Sequence, residues 1–489
     1  MKCVFIVLDT VRRDYLEAYG NDWVKTPNLA RLSRDGVTFD NHWVGSLPCM
    51  PARRELMTGH YNFVYRGWGP IEPYDDVLPK ELRRKGVFSH LLTDHYHYFE
   101  LGGENYHTAF DTWELFRGQE NDPAVSLVDA MAMPEHMGNL NQQNLKNRTV
   151  QTREEGFSGP KTAAAAAEWL RVNKDAEDWL LQVEIFDPHE PFLCTDKYRA
   201  MYGDSWDGPL YDWPTYKEVT ESPDAVEHIR KCYAGLLTMT DVWVGRVLDA
   251  LDECGLYDET LIVFTTDHGT MLAERGYWMK NIMPIYCELA RIPLVMKLPG
   301  GARAGERAGQ FTQTIDLMPT FLRFFGADLP PHVHGRAIDL DGGAPGREDG
   351  IFGYFGMATN ITDGRHVYMR NPVRADGGPL HAYTAIPVEG LNRWFPRELN
   401  ERMEMGRYFG HTYNMPLYKI PAAGAAPRPM AGEEPYVGRH QLYDIAADPR
   451  QENPLDAPAL ERHFAGRIAA HLRACEAPAE QYARLGLEP

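Results

Sequence analysis

Four stretches of this chain are largely apolar, and each ends abruptly in charged or imidazole side chains. Cys3–Leu8 runs into Asp9, and Val87–Leu92 into Asp94, His95, Tyr96 and His97. Leu180–Phe186 runs into Asp187 and His189, and Leu261–Thr265 into Asp267 and His268. Apolar runs of this kind predict strands covered on both faces, as in a parallel sheet. Between them the spacing predicts helices. Pro27 opens a short one with Leu29 and Leu32 on one face, and Gly36 ends it. Lys80–Lys85 forms a polar one stopped by Gly86, and Lys161–Val172 an alanine-rich one. Ile229, Tyr233, Leu236, Leu237, Val244, Val247, Leu248 and Leu251 recur at helical spacing, so a long helix covers about Ala225–Cys254. Ile292–Lys297 predicts a further strand and Asp316–Phe325 a further helix.

This alternation specifies an α/β fold: a large, mostly parallel sheet flanked by helices. From about Gly350 the pattern turns to shorter strands and turns, closing with a helix near Leu460–Cys475. The expected division is a catalytic α/β domain over 1–349 and a smaller C-terminal α+β subdomain over 350–489. Residues 100–160 show little periodicity and read as a long excursion over the surface. Residues 195–224, rich in Asp, Pro, Tyr and Trp, read as a loop near the site. In open α/β sheets ligands bind beyond the carboxyl ends of the strands, so the four polar clusters converge on one crevice.

A chain of 489 residues exceeds one ordinary core. Its net charge of −19 argues against nucleic acid or an anionic membrane as partner. No segment approaches the roughly 20 apolar residues of a membrane span, and the first apolar run is too short for a signal peptide. The 7 cysteines are scattered without paired spacing, which suits a reducing compartment. A cytoplasmic location is expected, and a homo-oligomer is compatible with the sequence.

The stretch that changes the picture is Leu47–Gly59. Pro51 suits a first helical turn and Gly59 a stop. Cys49 then stands at a helix N-terminus, where unpaired N–H groups favour an anion, and Arg53 lies one turn along on the same face. A nucleophile, an anion-favouring helix end and a guanidinium fork describe a site for a tetrahedral oxyanion. A lone cysteine in such a place is more often simply buried. Asp9, Asp267 and His268 offer two carboxylates and an imidazole for a divalent ion, although Asp267-His268-Gly269 alone also reads as a strand-to-loop turn.

Cys49-Met50-Pro51-Ala52-Arg53 matches Cys-x-Pro-x-Arg, and with it the chain resembles the formylglycine-dependent sulfatases of the alkaline phosphatase superfamily. The resemblance implies that a formylglycine-generating enzyme oxidises Cys49 to formylglycine. It implies that Asp9, Cys49 in its modified form, Asp267 and His268 hold one divalent ion, calcium first and manganese as the alternative. Asp187-Pro188-His189-Glu190-Pro191 looks like the family's His-x-Pro motif, and Lys280 lies at the family's distance after Asp-His-Gly. The implied catalytic residues are thus Cys49, Arg53, His189 and Lys280. The hydrated aldehyde attacks sulfur, the ion, Arg53 and Lys280 stabilise charge, and His189 or Lys280 protonates the departing alcohol. Asp94, His95, Tyr96 and His97 are the candidate substrate contacts.

Three positions depart from the family pattern. Ala52 replaces the usual serine, Thr10 replaces a second aspartate, and Asp94 stands where sulfatases carry a lysine that clamps a sulfate oxygen. Phosphonate monoester hydrolases of the same superfamily share the second departure and diverge around the third. The implied function is cleavage of a sulfate monoester of a carbohydrate or aryl alcohol. The alternatives are a phosphonate monoester or phosphodiester hydrolase on the same scaffold and, in another class, a non-catalytic anion-binding protein. The aromatic-rich loops 61–74 and 195–216 could stack on a ring of the substrate or could pack internally.

Overall fold

In the computed structural model, which describes residues 1–489 apart from 344, 389, 391 and 392, the large sheet has nine strands. They are β1 (Lys2–Leu8), β2 (Val37–Trp43), β3 (Phe88–Thr93), β4 (Thr112–Leu115), β5 (Trp179–Ile185), β6 (Thr260–Thr266), β7 (Arg291–Ile292), β8 (Leu294–Lys297) and β9 (Arg307–Gln313). Their order is β7-β2-β8-β6-β1-β5-β3-β4, with β9 paired to β2. The centre, β6 through β4, is parallel. Beyond β6 the sheet turns antiparallel, because β8 runs against both β6 and β2. Ile292–Lys297 is therefore two short strands and not one. Pro293 lies between them, and it has no N–H to give to a ladder.

Side chains alternate across β1. Val4, Ile6 and Leu8 join a core with the helices Ser158–Val172 and Pro223–Glu253. Cys3, Phe5 and Val7 join the opposite core with Leu56, Leu317 and Phe321. Each apolar side chain buried this way contributes about 1.5–3 kcal/mol relative to exposure, so the layers clamp β1 from both faces. The long helix starts where Ser222 Oγ accepts from Ala225 N at 3.3 Å, with Pro223 in its first turn. Gly255, at φ 69°, follows its end.

A second sheet has the order Gln441–Asp444, His366–Arg370, Thr359–Thr362, Gly350–Tyr354, Ser46–Leu47. Its last member comes from the N-terminal part of the chain, pairs parallel with Gly350–Tyr354, and stops one residue short of Cys49, with Pro48 between. The helix Pro458–Ala474 packs Phe464, Ile468 and Leu472 with Ile351, Ile361 and Leu442 of this sheet. A further helix, Ala479–Leu485, follows. The stretch 100–160 is less irregular than its composition suggests, holding β4 and the helix Gln142–Arg148. No helix among the described residues is long and apolar enough to cross a membrane, and the cysteines are all unpaired.

Candidate active site

The helix Cys49–Thr58 follows Pro48 and ends at Gly59, whose φ is 68°. All ten of its residues are buried, including Arg53, Arg54 and Glu55. Buried charges need partners, and each has them. Arg54 grips Asp75 through Nε at 2.8 Å and Nη2 at 2.5 Å. Glu55 accepts from Ser46 Oγ and, at 2.7 Å, from Thr314 Oγ1, and burial pushes its carboxyl up to about 7.

Arg53 uses its whole fork on carboxylates. Nε donates to Glu184 Oε1 at 2.5 Å, Nη1 to Asp267 Oδ2 at 2.6 Å, and Nη2 lies 2.8 Å from Asp9 Oδ2. All four residues are 0–1 % exposed. Burial by itself would raise Asp9, but Arg53 and then His189 and Lys280 outweigh it and hold the carboxylate far below its ordinary range. The fork expected to face an oxyanion is thus turned inward, onto the carboxylates that end β1 and β6. Glu184 is the member that sequence reading missed. It sits inside an apolar strand, and its partner comes 131 residues earlier. Tyr98 Oη also donates to it, at 2.9 Å.

Cys49 Sγ lies 3.3 Å from His268 Nε2 and 3.5 Å from Lys280 Nζ. Asp9, Cys49, Asp267 and His268 each present a ligand atom within 4.8 Å of the others. Burial, then the charge of Asp9, raises the Cys49 thiol well above its ordinary range. The helix N-terminus does not make it a thiolate. Thr10, the departure next to Asp9, has φ 64°, a strained conformation for a β-branched residue. Its Oγ1 donates to Asp9 Oδ1, and its N–H donates to Asp267 Oδ1 at 3.0 Å, so it ties the two aspartates together.

Lys280 Nζ donates to His189 Nε2 at 2.9 Å. His189 Nδ1 in turn lies 2.8 Å from the Glu190 carbonyl, which assigns Nδ1 the hydrogen and leaves Nε2 to accept. Burial lowers His189 to about 4, so the ring is neutral near pH 7. Lys280 is raised despite burial, because Cys49, Glu190 and Asp9 surround it. Both its neighbours, Met279 (φ 68°) and Asn281 (φ 79°), are left-handed, a strain that holds the lysine at one position.

Of the segment after β3, His95 enters the site, 3.7 Å from Asp9 through Nε2, with both ring nitrogens buried and without hydrogen-bond partners. Tyr96 Oη donates to Glu120 Oε2 at 2.7 Å, and His97 Nε2 lies 3.8 Å from the same oxygen. Asp94 points elsewhere: it accepts from Phe186 N at 2.6 Å and from Gln119 Nε2 at 3.0 Å. Gln119 also bridges to Asp187 at 2.9 Å. Burial raises Asp94 to about 6 and Asp187, with Asp94 beside it, to about 8. This buried carboxyl pair braces two loops and leaves no anion facing the centre from position 94. Glu120 was invisible in the irregular 100–160 stretch. Burial, then Glu190, raises it to about 8, and it lies 3.3 Å from His189 Nδ1. Of the aromatic loops, Tyr61, Tyr65, Tyr74, Tyr211 and Trp213 are buried packing. Tyr216 donates to Glu190, and Trp68 sits edge-on to His97 at 5.5 Å.

Residues 2–327 match the family model described as Sulfatase. This chain belongs to the sulfatase family. It is accordingly an enzyme, a hydrolase of sulfuric esters on an alkaline phosphatase-like fold, and the non-catalytic alternative falls away. It is 28% identical over 390 residues to the multifunctional alkaline phosphatase superfamily protein PehA of Trinickia caryophylli, covering 68% of this chain and 76% of that one. To the N-acetylglucosamine-6-O-sulfatase of Bacteroides thetaiotaomicron it is 22% identical, with 83% of each chain covered. The phosphonate monoester hydrolase of Agrobacterium radiobacter superposes with a TM-score of 0.68 at 22% identity, over 97% of this sulfatase and 96% of that chain.

Proposed function

We propose that this sulfatase cleaves a sulfate monoester of a carbohydrate or aryl alcohol, using formylglycine at position 49 and one divalent ion. The observation that carries the proposal is the convergence of Asp9, Cys49, Asp267 and His268 within 4.8 Å. Asp9 is fully buried there, its Oδ2 ion-paired with Arg53 Nη2 at 2.8 Å and its Oδ1 accepting from Thr10 Oγ1. Two carboxylates and an imidazole suit calcium, or manganese as the alternative, and these four residues would hold the ion. When bound, the ion supplies positive charge that polarises the ester and eases ionisation of the nucleophile. Formylglycine supplies a hydrated aldehyde, which a buried and protonated thiol cannot replace. The raised Cys49 thiol supports this reading.

The remaining roles belong to the chain's own groups. Arg53 and Thr10 hold the two aspartates at fixed separation. Lys280 directs an ammonium toward position 49, where charge grows on the transferring group. The Lys280–His189 pair hands a proton to the departing alcohol, because Nζ holds one and Nε2 lies 2.9 Å away. His95, Tyr96 and His97 contact the substrate, and Glu120 and Glu190 orient His189. Residues 350–489 form a smaller subdomain against this centre. A reducing compartment such as the cytoplasm fits the unpaired cysteines, and a formylglycine-generating enzyme acts during maturation.

A second reading, a phosphonate monoester or phosphodiester hydrolase, rests on one observation. Residues 93–98 bring two histidines and two tyrosines near the centre but no lysine. This departure from the sulfatase pattern suits singly charged esters, sulfate monoesters and phosphodiesters alike, over doubly charged phosphate monoesters. The test is mass spectrometry of the Cys49 peptide after co-expression with a formylglycine-generating enzyme, with turnover of matched 4-nitrophenyl sulfate and phenylphosphonate esters. An aldehyde mass and preferred sulfate turnover are expected. An unmodified thiol in fully active enzyme would remove the nucleophile proposed. A phosphonate preference would install the second reading.

A further inference from the structure

Away from the catalytic residues, a cavity of about 790 Å³ opens between the loop after β1, the segment 274–291 and the C-terminal segment 449–452. None of Asp9, Cys49, His189 or Lys280 lines it. Six arginines do: Arg12, Arg13, Arg230, Arg275, Arg291 and Arg450, against four carboxylates. Those carboxylates are largely spent. Asp14 takes Arg12 in a two-point grip at 2.8 and 2.6 Å, Glu274 lies 3.1 Å from Arg12, and Glu288 accepts from Arg275 at 2.7 Å.

The other arginines are left with positive charge to spare. Arg13 and Arg291 converge on Asp40: Arg13 Nη2 reaches its backbone oxygen at 3.3 Å and its Oδ1 at 3.5 Å, and Arg291 reaches the backbone oxygen at 2.7 Å. The Asp40 carboxylate is gripped by a third arginine, Arg307, whose Nε donates at 3.1 Å. Arg13 Nε is buried with no partner. Burial and the nearby Arg291 lower Arg13 to about 10. Arg230 Nε donates to the Leu272 carbonyl, at 2.8 Å. Among the described residues no ion pair engages Arg230, Arg291 or Arg450. In a chain of net charge −19, this is a local surplus of guanidinium over carboxylate.

We propose that this cavity is a second binding site, which takes a sulfate or phosphate group carried on a small organic molecule. Planar forks match tetrahedral oxyanions in two-point contacts. The volume exceeds what a bare ion fills and suits a small ligand. Tyr15 and Trp23, ring centroids 6.1 Å apart at 72°, offer a wall for the ligand's apolar part. The site stands whether or not the catalytic reading does, since it uses none of those residues.

The test is calorimetric titration of the full chain carrying Cys49→Ala, so that no probe is turned over. The probes are glucose 6-phosphate, glucose 6-sulfate and inorganic phosphate. Binding of the esters is expected to weaken at least tenfold in Arg13→Gln, in Arg291→Gln and in the double variant Arg230→Gln/Arg450→Gln. The double variant changes side chains that hold no buried carboxylate, so it serves if the others fail to fold. With Cys49 restored, it is expected to keep kcat on 4-nitrophenyl sulfate within twofold. Equal ester affinity in all variants, or no ester binding at all, would overturn the site. Inorganic phosphate binding as tightly as the esters would overturn the organic carrier.

Discussion

Arg53 Nε meets Glu184 Oε1 at 2.5 Å with both side chains sealed from water, at the bottom of the centre and not at its mouth. Removing one partner of a buried pair leaves a stranded charge, a loss of about 3–5 kcal/mol. Glu184→Ala is therefore expected to lower stability by about that much in urea unfolding. Glu184→Gln, which still accepts from Arg53 and Tyr98, should lose less than half as much. If the alanine variant is as stable as the parent, the anchoring role of Arg53 is mistaken.

Lys280 serves the transition state more than the ground state in this reading. Lys280→Met should cut kcat by about 10²–10⁴ while KM shifts little. Steady-state kinetics on 4-nitrophenyl sulfate decide it. A rise in KM at unchanged kcat would place Lys280 in substrate binding alone.

Chelation should separate activity from folding. Arg53 and Thr10 already hold Asp9 and Asp267 in place, so the apo chain is expected to keep its shape. Extensive dialysis against EDTA should abolish turnover, leave far-UV circular dichroism unchanged, and be reversed by calcium or manganese. Full activity after verified metal removal would rule out the ion.

The share of three buried histidines in the pH dependence of stability has a definite sign. His60, His334 and His411 cluster with ring centroids 4.5–6.4 Å apart. Burial lowers all three, His411 to about 4. Their unfolded forms bind protons below pH of about 6.5 while the folded forms do not. Their contribution is thus complete above that pH and declines as pH falls from 6.5 toward 4, by at most about 1.4 kcal/mol per unit for each ring. The raised carboxyls of Glu55, Glu120 and Asp187 work the other way over the same range, so the comparison with a variant isolates the histidines. In urea unfolding, the change in stability from pH 7.5 to 5.0 should be more favourable in His60→Asn than in the parent by about 2 kcal/mol. An identical pH response in parent and variant would contradict the burial argument.

The strands that carry chemistry were legible because each is apolar to its last residue and polar immediately after. Asp9, His189, Asp267 and His268 could be named for that reason, and Lys280 and Cys49 by resemblance. Less legible were contacts made across long sequence separations. Glu184 looks like an interruption of an apolar strand until Arg53 is brought to it. Asp94 looked like a substrate contact because it follows β3, but Phe186 N–H and Gln119 turn it aside. β2 escaped notice because Asp40 and Asn41 break its apolar run. Glu120 sits in a segment with no period to read.

The pairing of Ser46–Leu47 with Gly350–Tyr354 sets an order of events in time. Cys49 is 3 % exposed, on a helix buried along its whole length and tethered to a strand made some 300 residues later. A second enzyme has no grip on that cysteine in the finished protein. The modification proposed for Cys49 would therefore have to happen on an open chain, during or soon after synthesis, before the later strand locks in place. On that reading, protein that folds first is shut off from maturation, and the active fraction records a race between two rates.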